Sequence, residues 1–268
     1  MILKAILTGM FDSNCYILGD NGEAAVIDPG ADVEDIARTL VEHALKLKYI
    51  ILTHAHIDHI AEVDNLRSTL GGKTVVHEDD APLLGDQMLN GSALFGRSRT
   101  FSMADTLVRD GDILELGKAK LSIIHTPGHT AGGICVLVTD GAKECGSEAG
   151  SSSKGDRSSE AGASSKGDIS SEAEASSKGG ISSEAGASSK GDISSKCCGS
   201  SIDKSGCIFT GDTLFRLSIG RTDLGTGDHQ KIIESLRRLM KLDGSLKVYP
   251  GHGPATTIEY ERLNNPWI

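Results

Sequence analysis

The sequence lacks a long hydrophobic segment. None of its 268 residues lies in a run of the roughly 18 apolar positions that a membrane-spanning helix needs. The first seven residues also lack the apolar core and cleavage-site pattern of a signal peptide. Hydrophobic residues make up only 38% of the chain, which is lean for one globular fold of this length. We therefore expect a soluble, cytoplasmic protein in which part of the chain is not packed.

Basic charge is also scarce. The chain has 27 lysine and arginine residues against 37 aspartate and glutamate residues, a formal net charge of −10. This balance disfavours binding to nucleic-acid phosphates and to anionic membranes, so we predict neither partner. The six cysteines show no framework spacing and no Cys-x-x-Cys pair, which favours reduced thiols. No pattern indicates the oligomeric state, which stays unknown at this point.

One segment, residues 141–206, has a composition of its own. Serine, glycine, alanine, lysine and glutamate dominate it and recur with a twelve-residue period. The period is marked by Glu148, Glu160, Glu172 and Glu184, and in another register by Lys154, Lys166, Lys178 and Lys190. Each repeat has at most one apolar position, which is too few for a stacked solenoid. We predict a disordered insert within a single domain formed by 1–140 and 207–268, and favour a linker without function over an interaction tether.

Outside this segment, short β-rich runs alternate with helical patterns. The predicted strands are 2–7, 14–18, 24–28, 48–52, 73–77, 113–116, 120–125, 134–139, 207–210 and 246–249. The predicted helices are 32–46, 61–70, 79–84 and 228–241. This alternation predicts an α/β fold. Such folds place their active sites in loops just past the strand ends.

The most informative loop, Thr53–His59, follows the apolar run Tyr49–Leu52. Its metal-competent side chains are His54, His56, Asp58 and His59. Neutral imidazole and carboxylate are natural ligands of zinc and of similar divalent metals. In an extended segment the first three would face one way and His59 the other, so one loop could serve two adjacent metals.

Three further segments run from a strand into a polar loop in which glycine or proline permits a sharp turn. They present the candidate ligands His129, Asp212 and His252. We expect the remaining histidines to be ordinary core or surface residues. These are His43, His77, His125 and His229.

The ordered set, a His-x-His-x-Asp-His loop followed by a histidine, an aspartate and a histidine, resembles the metallo-β-lactamase superfamily. The resemblance covers 1–140 and 207–268. It implies an αββα sandwich of two mixed β-sheets flanked by helices. It also implies that His54, His56 and His129 hold one metal, that Asp58, His59 and His252 hold a second, and that Asp212 bridges both.

The implied cofactors are two divalent metal ions, with zinc as the first choice and iron or manganese as alternatives. A water shared by two metals is acidified towards hydroxide, which can attack an ester, thioester or lactam carbonyl. Asp58 would orient this nucleophile and Asp212 would bridge the metals, so these two residues are the predicted catalytic carboxylates. No serine or cysteine nucleophile is required.

The run Gly211–Asp223 and the tail Asn264–Ile268 resemble short bacterial glyoxalase II-like (hydroxyacylglutathione hydrolase-like) proteins. This implies a thioesterase that cleaves a small-molecule thioester, such as S-lactoylglutathione, to a hydroxy acid and a thiol. Only sixteen residues follow His252, where full-length glyoxalase II has a helical domain that contacts glutathione. Glutathione recognition therefore stays open. We also expect an Arg221–Asp223 ion pair to hold the loop behind Asp212, and residues 87–103 to border the cleft.

Two alternatives remain. A persulfide dioxygenase has the same fold and a similar Gly-Arg-Thr-Asp run, and it uses one iron held by the equivalents of His54, His129 and Asp212. A module of the same fold could also bind metal or a partner without catalysis. Because all the second-site positions are filled, the dinuclear hydrolase is preferred.

Overall fold

Two six-stranded β-sheets form the centre of the fold in the computed structural model, which describes residues 1–8, 11–141 and 206–268. The first sheet contains, in spatial order, β1 (Ile2–Leu7), β2 (Asn14–Asp20), β3 (Glu23–Ile27), β4 (Lys46–Ile51), β5 (Lys73–His77) and β6 (Thr106–Val108). Its first three strands are antiparallel, whereas β3 to β6 run parallel to one another. The sheet is therefore mixed.

The second sheet is also mixed. Its strands are β7 (Ile113–Leu116), β8 (Ala119–His125), β9 (Ile134–Asp140), β10 (Cys207–Gly211), β13 (Lys247–Pro250) and β14 (Thr256–Thr257), in the spatial order β14-β13-β10-β9-β8-β7. Only the β10–β13 pair is parallel. A separate small hairpin, β11 (Leu214–Phe215) with β12 (Ser218–Ile219), follows β10.

Helices cover the outer faces of both sheets. They are α1 (Val33–Glu42), α2 (Ile57–Ile60), α3 (Val63–Leu70), α4 (Ala81–Leu84), a 3-10 turn (Ser92–Phe95), α5 (His229–Leu239) and α6 (Ile258–Asn264). The first three pack on the first sheet, while α5 and α6 pack on the second. The predicted αββα sandwich is thereby confirmed. None of the helices in the described ranges is both long and apolar enough to cross a membrane.

The central strands are buried on both faces, which explains why their sequences are continuous runs of apolar residues. Ile17, Val26 and Ile50 pack beneath the helices of the first sheet. Their neighbours along the chain point the other way because side chains alternate across a strand. Leu18, Ile27 and Ile51 accordingly fill the space between the two sheets.

The helix predicted over 32–46 is shorter than expected. It ends at Glu42, because Ala44 adopts a left-handed conformation with a φ of 50°. The amide of Leu45 then donates to the carbonyl of Leu40, which closes the helix end. Lys46 already begins β4, so the apolar spacing that suggested a longer helix runs across a turn into a strand.

Strands β9 and β10 are antiparallel neighbours, with Val138 paired to Cys207. The chain therefore leaves the sheet and returns to it at the same end of one strand pair. The predicted disorder of 141–206 falls on positions 142–205, which lie outside the described residues, and it stays a prediction.

Candidate metal centre

The seven predicted ligands lie at one edge of the sandwich. His54–His59 follow β4, His129 follows β8, Asp212 follows β10 and His252 follows β13. In the second sheet, β8, β10 and β13 run in the same direction, so their carboxyl ends meet at one edge. The arrangement agrees with the general placement of sites beyond the ends of parallel strands.

The histidine loop is not extended throughout, so the facing of side chains considered for an extended segment does not apply to all of it. His56 is extended, with φ −84° and ψ 148°, but Ile57–Ile60 form a helical turn. The amide of His59 donates to the carbonyl of His56 within this turn. Consecutive helical residues are about 100° apart, so His59 is not turned to the opposite side as it would be in a strand. Its Nε2 lies 3.3 Å from Asp58 Oδ2.

A first group of potential ligands contains His54, His56 and His129. One ligand atom from each lies within 4.8 Å of the others, and all three residues are buried. His56 Nδ1 is only 2.8 Å from His129 Nε2. The three ring planes are close to perpendicular, at 80–88° to one another. Three ring nitrogens within 4.8 Å of one another are close enough to bind a single ion.

A second group contains Asp58, His59 and His252. His252 Nε2 lies 3.1 Å from His59 Nε2 and 3.2 Å from Asp58 Oδ2. The ring planes of the two histidines are 82° apart. Three donor atoms therefore converge, as they do in the first group.

Asp212 lies between the two groups. Its Oδ1 is 3.5 Å from His59 Nε2, and its Oδ2 is 3.6 Å from both His129 Nε2 and His252 Nε2. One carboxylate thus faces a histidine of the first group and two of the second. This is the geometry that a bridging ligand requires.

Two buried polar atoms support a metal-binding role. His54 Nε2 and Asp212 Oδ1 have no hydrogen-bond partner, although burial of an unpaired polar atom is costly. Both atoms are available as ligands, and both belong to the groups described above. An imidazole and carboxylate donor set of this kind suits a divalent metal ion.

Outer hydrogen bonds orient four of the histidines. In each, Nδ1–H donates to an acceptor outside the cluster, which leaves the Nε2 lone pair for the centre. The pairs are His54 with Thr53 Oγ1, His59 with Asp28 Oδ2, His129 with the Arg221 carbonyl and His252 with the Phe11 carbonyl. The tautomers are assigned from these contacts. His56 has the opposite orientation, with Nδ1 facing inwards.

Asp28 is a residue of the candidate site that the sequence reasoning missed. It is buried directly after β3, and it accepts hydrogen bonds from the Thr53 amide, the Thr53 hydroxyl and His59. Its φ of 55° is unusual for a residue other than glycine. The signal was the Asp28-Pro29-Gly30 turn after a strand, which has the same form as the ligand segments.

Asp80 is a second missed residue, and it joins two ligand loops. Its carboxylate accepts from the Ala55 amide in the histidine loop, and from the Thr130 hydroxyl and Gly132 amide beside His129. Burial raises the pKa of this carboxyl group, and the three hydrogen bonds act against that rise. No spacing in the sequence pointed to this role.

The electrostatics differ between the two groups. Burial, with the neighbouring imidazoles, lowers the pKa of His54 well below its usual value and that of His56 to about 3. Burial also opposes charge on His59, but Asp58 and Asp212 outweigh it and raise the His59 pKa. Burial likewise opposes ionisation of Asp58, while His59 and His252 hold the Asp58 pKa below its usual range. Low pKa values keep His54 and His56 neutral and Asp58 ionised, which are the forms that bind metals, whereas His59 with its raised pKa must lose a proton when a metal binds.

A cleft of about 280 Å³ opens onto the cluster. His56, Asp58, His129, Asp212 and His252 line its floor. Its walls include Asn90, Gly91 and Phe95, so the 87–103 loop does border the cleft. The rings of Phe11 and Phe95 meet with centroids 4.7 Å apart.

Arg221 also lines the cleft. Its side chain forms the expected ion pair with Asp223, with nitrogen–oxygen distances of 2.7 and 2.9 Å.

His77, Asp79 and His125 form another cluster of potential ligands. Their geometry differs from that of the main groups, because the two imidazoles stack with centroids 4.0 Å apart and planes at 12°. Lone pairs in parallel ring planes do not converge on one ion. The Asp79 amide also donates to His77 Nδ1, which occupies that lone pair. We therefore do not assign a metal to this cluster.

Comparison with known proteins identifies the class to which this fold and site belong. The family profile of the metallo-beta-lactamase superfamily matches residues 8–141 and 197–252, and the chain belongs to that superfamily. An uncharacterized protein of Mycobacterium tuberculosis is 30% identical over all of this chain and 98% of its own length. The hydroxyacylglutathione hydrolase GloC of Haemophilus influenzae is 26% identical over all of this chain and 98% of its own length.

Among solved structures, the BLEG-1 B3 metallo-beta-lactamase superposes with a TM-score of 0.71. It is 30% identical, and the match covers 99% of this chain and 98% of that one. The fold, the superfamily and the histidine and aspartate clusters together define a metal-dependent hydrolase.

Proposed function

We propose that the protein is a dinuclear thioesterase of the glyoxalase II type, which cleaves a small thioester to an acid and a thiol. The observation that carries the proposal is the position of Asp212, with its carboxylate oxygens 3.5–3.6 Å from histidines of both groups. Similarity over full length to GloC supports the thioester class. The resemblance of Gly211–Asp223 to the short glyoxalase II-like proteins supports it further.

In this proposal His54, His56 and His129 hold one metal, Asp58, His59 and His252 hold the other, and Asp212 contacts both. Two divalent ions bound there would supply the Lewis acidity that acidifies a water molecule and polarises the substrate carbonyl. Zinc is our first choice, with iron or manganese as alternatives, because histidine and aspartate ligands suit all three.

Asp58 has the position and ionisation state of a residue that orients the attacking water. Its side chain is 14% exposed and lines the cleft, so it can accept a hydrogen bond from a water molecule bound there. Its lowered pKa keeps it an acceptor at neutral pH. In the overall reaction, water adds to the acyl carbon, the carbon–sulfur bond breaks, and the thiol leaves with a proton.

The cleft walls position the substrate. Phe11, Ile57, Phe95 and Leu224 provide apolar surface that can cover an acyl group and exclude bulk water.

The buried thiols do not compete as nucleophiles. Cys15 and Cys135 are fully buried, and burial raises the pKa of each to about 12.

The test combines metal analysis with an assay under strictly anaerobic conditions. Purified protein should contain two equivalents of metal and should hydrolyse S-lactoylglutathione or an acyl thioester of a simpler thiol. Stripping with a chelator should abolish turnover, and adding back zinc should restore it. Activity that needs oxygen and returns with iron alone would instead identify a persulfide dioxygenase. Bound metal without turnover on any thioester would favour a non-catalytic module.

A further inference from the structure

Two aromatic side chains face each other at the mouth of the metal cleft. Phe11 and Phe95 both line the cleft, and their rings are in contact. The two residues are 52% and 48% exposed, respectively. Half of this aromatic surface is therefore open to a ligand and is not used in packing the core. Contiguous exposed apolar surface of this kind marks a binding site more often than an isolated exposed residue does.

The Phe11–Phe95 pair lies beside the proposed metal centre. The Phe11 carbonyl accepts a hydrogen bond from His252 Nδ1, so the residue that orients a predicted ligand also supplies part of the cleft wall. Ile57 also lines the cleft and stands between His56 and Asp58 in the chain. A substrate whose carbonyl reaches the metal centre would therefore place the neighbouring substituent against apolar surface.

The cleft offers little free positive charge to a substrate. Arg221 is the one arginine or lysine among the described residues that line it. Its Nε and Nη2 both donate to the Asp223 carboxylate, in the two-point geometry that suits such a pair. A substrate carboxylate would have to displace Asp223 or lie beside its negative charge. The Asn90 amide is also engaged, because it donates to the Arg99 carbonyl and accepts from the Ser92 amide.

We propose that the substrate is a small, uncharged thioester with an apolar acyl group, and that glutathione thioesters are poor substrates. This inference rests on the thioesterase function proposed above. An aliphatic or aromatic acyl chain would cover the Phe11–Phe95 pair and remove apolar surface from water. Glutathione carries two carboxylates, and the described lining residues offer them only the guanidinium that Asp223 already binds. The cleft volume of about 280 Å³ also suits a small molecule better than a tripeptide conjugate.

A panel of thioesters, assayed anaerobically with the full-length, metal-loaded protein, tests the substrate class. Three of them share the neutral thiol N-acetylcysteamine and carry an acetyl, a hexanoyl or an adipoyl group. The adipoyl chain has as many carbons as the hexanoyl chain but ends in a carboxylate. Hexanoylglutathione and S-lactoylglutathione complete the panel. The neutral hexanoyl thioester should have a kcat/KM roughly tenfold or more above that of each other member, because its chain buries the most apolar surface without a charge.

Two substitutions with matched controls locate the selective surface. Phe95→Ala should lower the hexanoyl-to-acetyl ratio of kcat/KM roughly fivefold or more. Leu94→Ala, at an exposed residue of the same 3-10 turn that does not line the cleft, should leave this ratio within about twofold. Asp223→Asn should raise the adipoyl-to-hexanoyl ratio roughly threefold or more, because it frees the Arg221 guanidinium for a substrate carboxylate. Asp79→Asn, at an exposed carboxylate outside the cleft lining, should leave that ratio unchanged.

A binding measurement separates this inference from the proposed function. The ketone analogue of the neutral hexanoyl thioester, with a methylene in place of sulfur, cannot be hydrolysed, and isothermal calorimetry measures its affinity. It should bind the wild type roughly fivefold more tightly than it binds the Phe95 variant. Turnover of a glutathione thioester at or above the rate of the neutral hexanoyl thioester, or unchanged ratios in the Phe95 and Asp223 variants, would overturn this inference and leave the thioesterase function intact. Binding of the analogue without turnover of any thioester would overturn the thioesterase function and the substrate class with it.

Discussion

At the scale of single residues, the position of Asp212 distinguishes one two-metal site from two separate metal sites. Its carboxylate contacts histidines of both groups, and its Oδ1 has no other partner. We expect Asp212→Asn to lower the metal content below two equivalents and to reduce kcat/KM by about a hundredfold or more, because an amide is a weaker ligand and cannot bridge through two anionic oxygens. Elemental analysis and steady-state kinetics would measure both effects.

The matched control is Asp79→Asn, which makes the same chemical change at an exposed carboxylate outside the two ligand groups. It should leave both quantities unchanged. Full metal content and activity in the Asp212 variant would show that this residue is not a bridging ligand.

A second prediction concerns Gly251, which precedes His252. A Cβ at this position would lie 2.2 Å from Asp212 Oδ1 and 2.9 Å from His59 Cε1. Gly251→Ala should therefore displace the carboxylate and lower metal affinity by roughly 10- to 100-fold, the range that disturbance of supporting contacts produces. Competition titration with a chromogenic chelator would measure the affinity.

Gly85→Ala serves as the comparison, since its nearest new contact is an ordinary 3.8 Å to the Pro82 carbonyl. The two variants should melt at similar temperatures if the effect of Gly251→Ala is local. Equal metal affinities in both would contradict the packing argument.

At the scale of secondary-structure elements, the long buried strands could be predicted from the sequence and the short elements could not. β1, β5 and β7 lie where the apolar pattern places them. The strands β6, β11, β12 and β14 have only two or three residues each, so no periodicity can develop. The end of α1 was missed because Ala44 adopts a positive φ without the glycine that usually marks it.

The same contrast holds within the site. The histidines and aspartates that cluster at the sheet edge could be identified as candidate ligands because imidazole and carboxylate groups at fixed spacing carry a chemical signal. Their outer partners were not predictable, because two of them are the carbonyls of Phe11 and Arg221, which have no side-chain signature. Asp28 and Asp80 become recognisable only when the strands that carry them are placed side by side.

Asp80 provides the prediction at this scale, because it fixes the distance between two loops. Its carboxylate accepts three hydrogen bonds, and an amide in its place would point an N–H₂ group at one of the donors. Asp80→Asn should lower the free energy of unfolding by about 1–3 kcal/mol. It should also weaken metal binding roughly 10- to 100-fold, because the Ala55 and Thr130 segments lie beside the predicted ligands His54, His56 and His129.

Urea denaturation of the metal-free protein separates these two effects from each other. A loss of stability without a change in metal affinity would mean that Asp80 supports the fold alone. Asp79→Asn is again the natural control, since it is the adjacent exposed carboxylate.

At the scale of the whole molecule, the cysteines report on the integrity of the sandwich. Cys15, Cys135 and Cys207 are buried and free, and burial raises the pKa of each thiol to about 12. These thiols should resist iodoacetamide at pH 8 in the native protein and should react after unfolding. Peptide mapping by mass spectrometry would locate the modified positions. Rapid labelling of any of the three in native protein would show that the core opens more readily than the packing indicates.

The final prediction concerns the connection between β9 and β10. Since Val138 and Cys207 are paired, the two strands need only a short turn to remain adjacent. Replacing 142–205 with four residues such as Gly-Asn-Gly-Ser should preserve metal content and kcat/KM, because all seven predicted ligands lie outside the removed positions. The closed loop becomes roughly sixteen times shorter, so the entropy of loop closure predicts a gain in stability of about 2 kcal/mol.

A longer deletion, 138–207, is the control. It removes the paired residues themselves and should prevent folding. If the shorter deletion lost metal or activity, the segment would be a working part of the enzyme and not an addition to it.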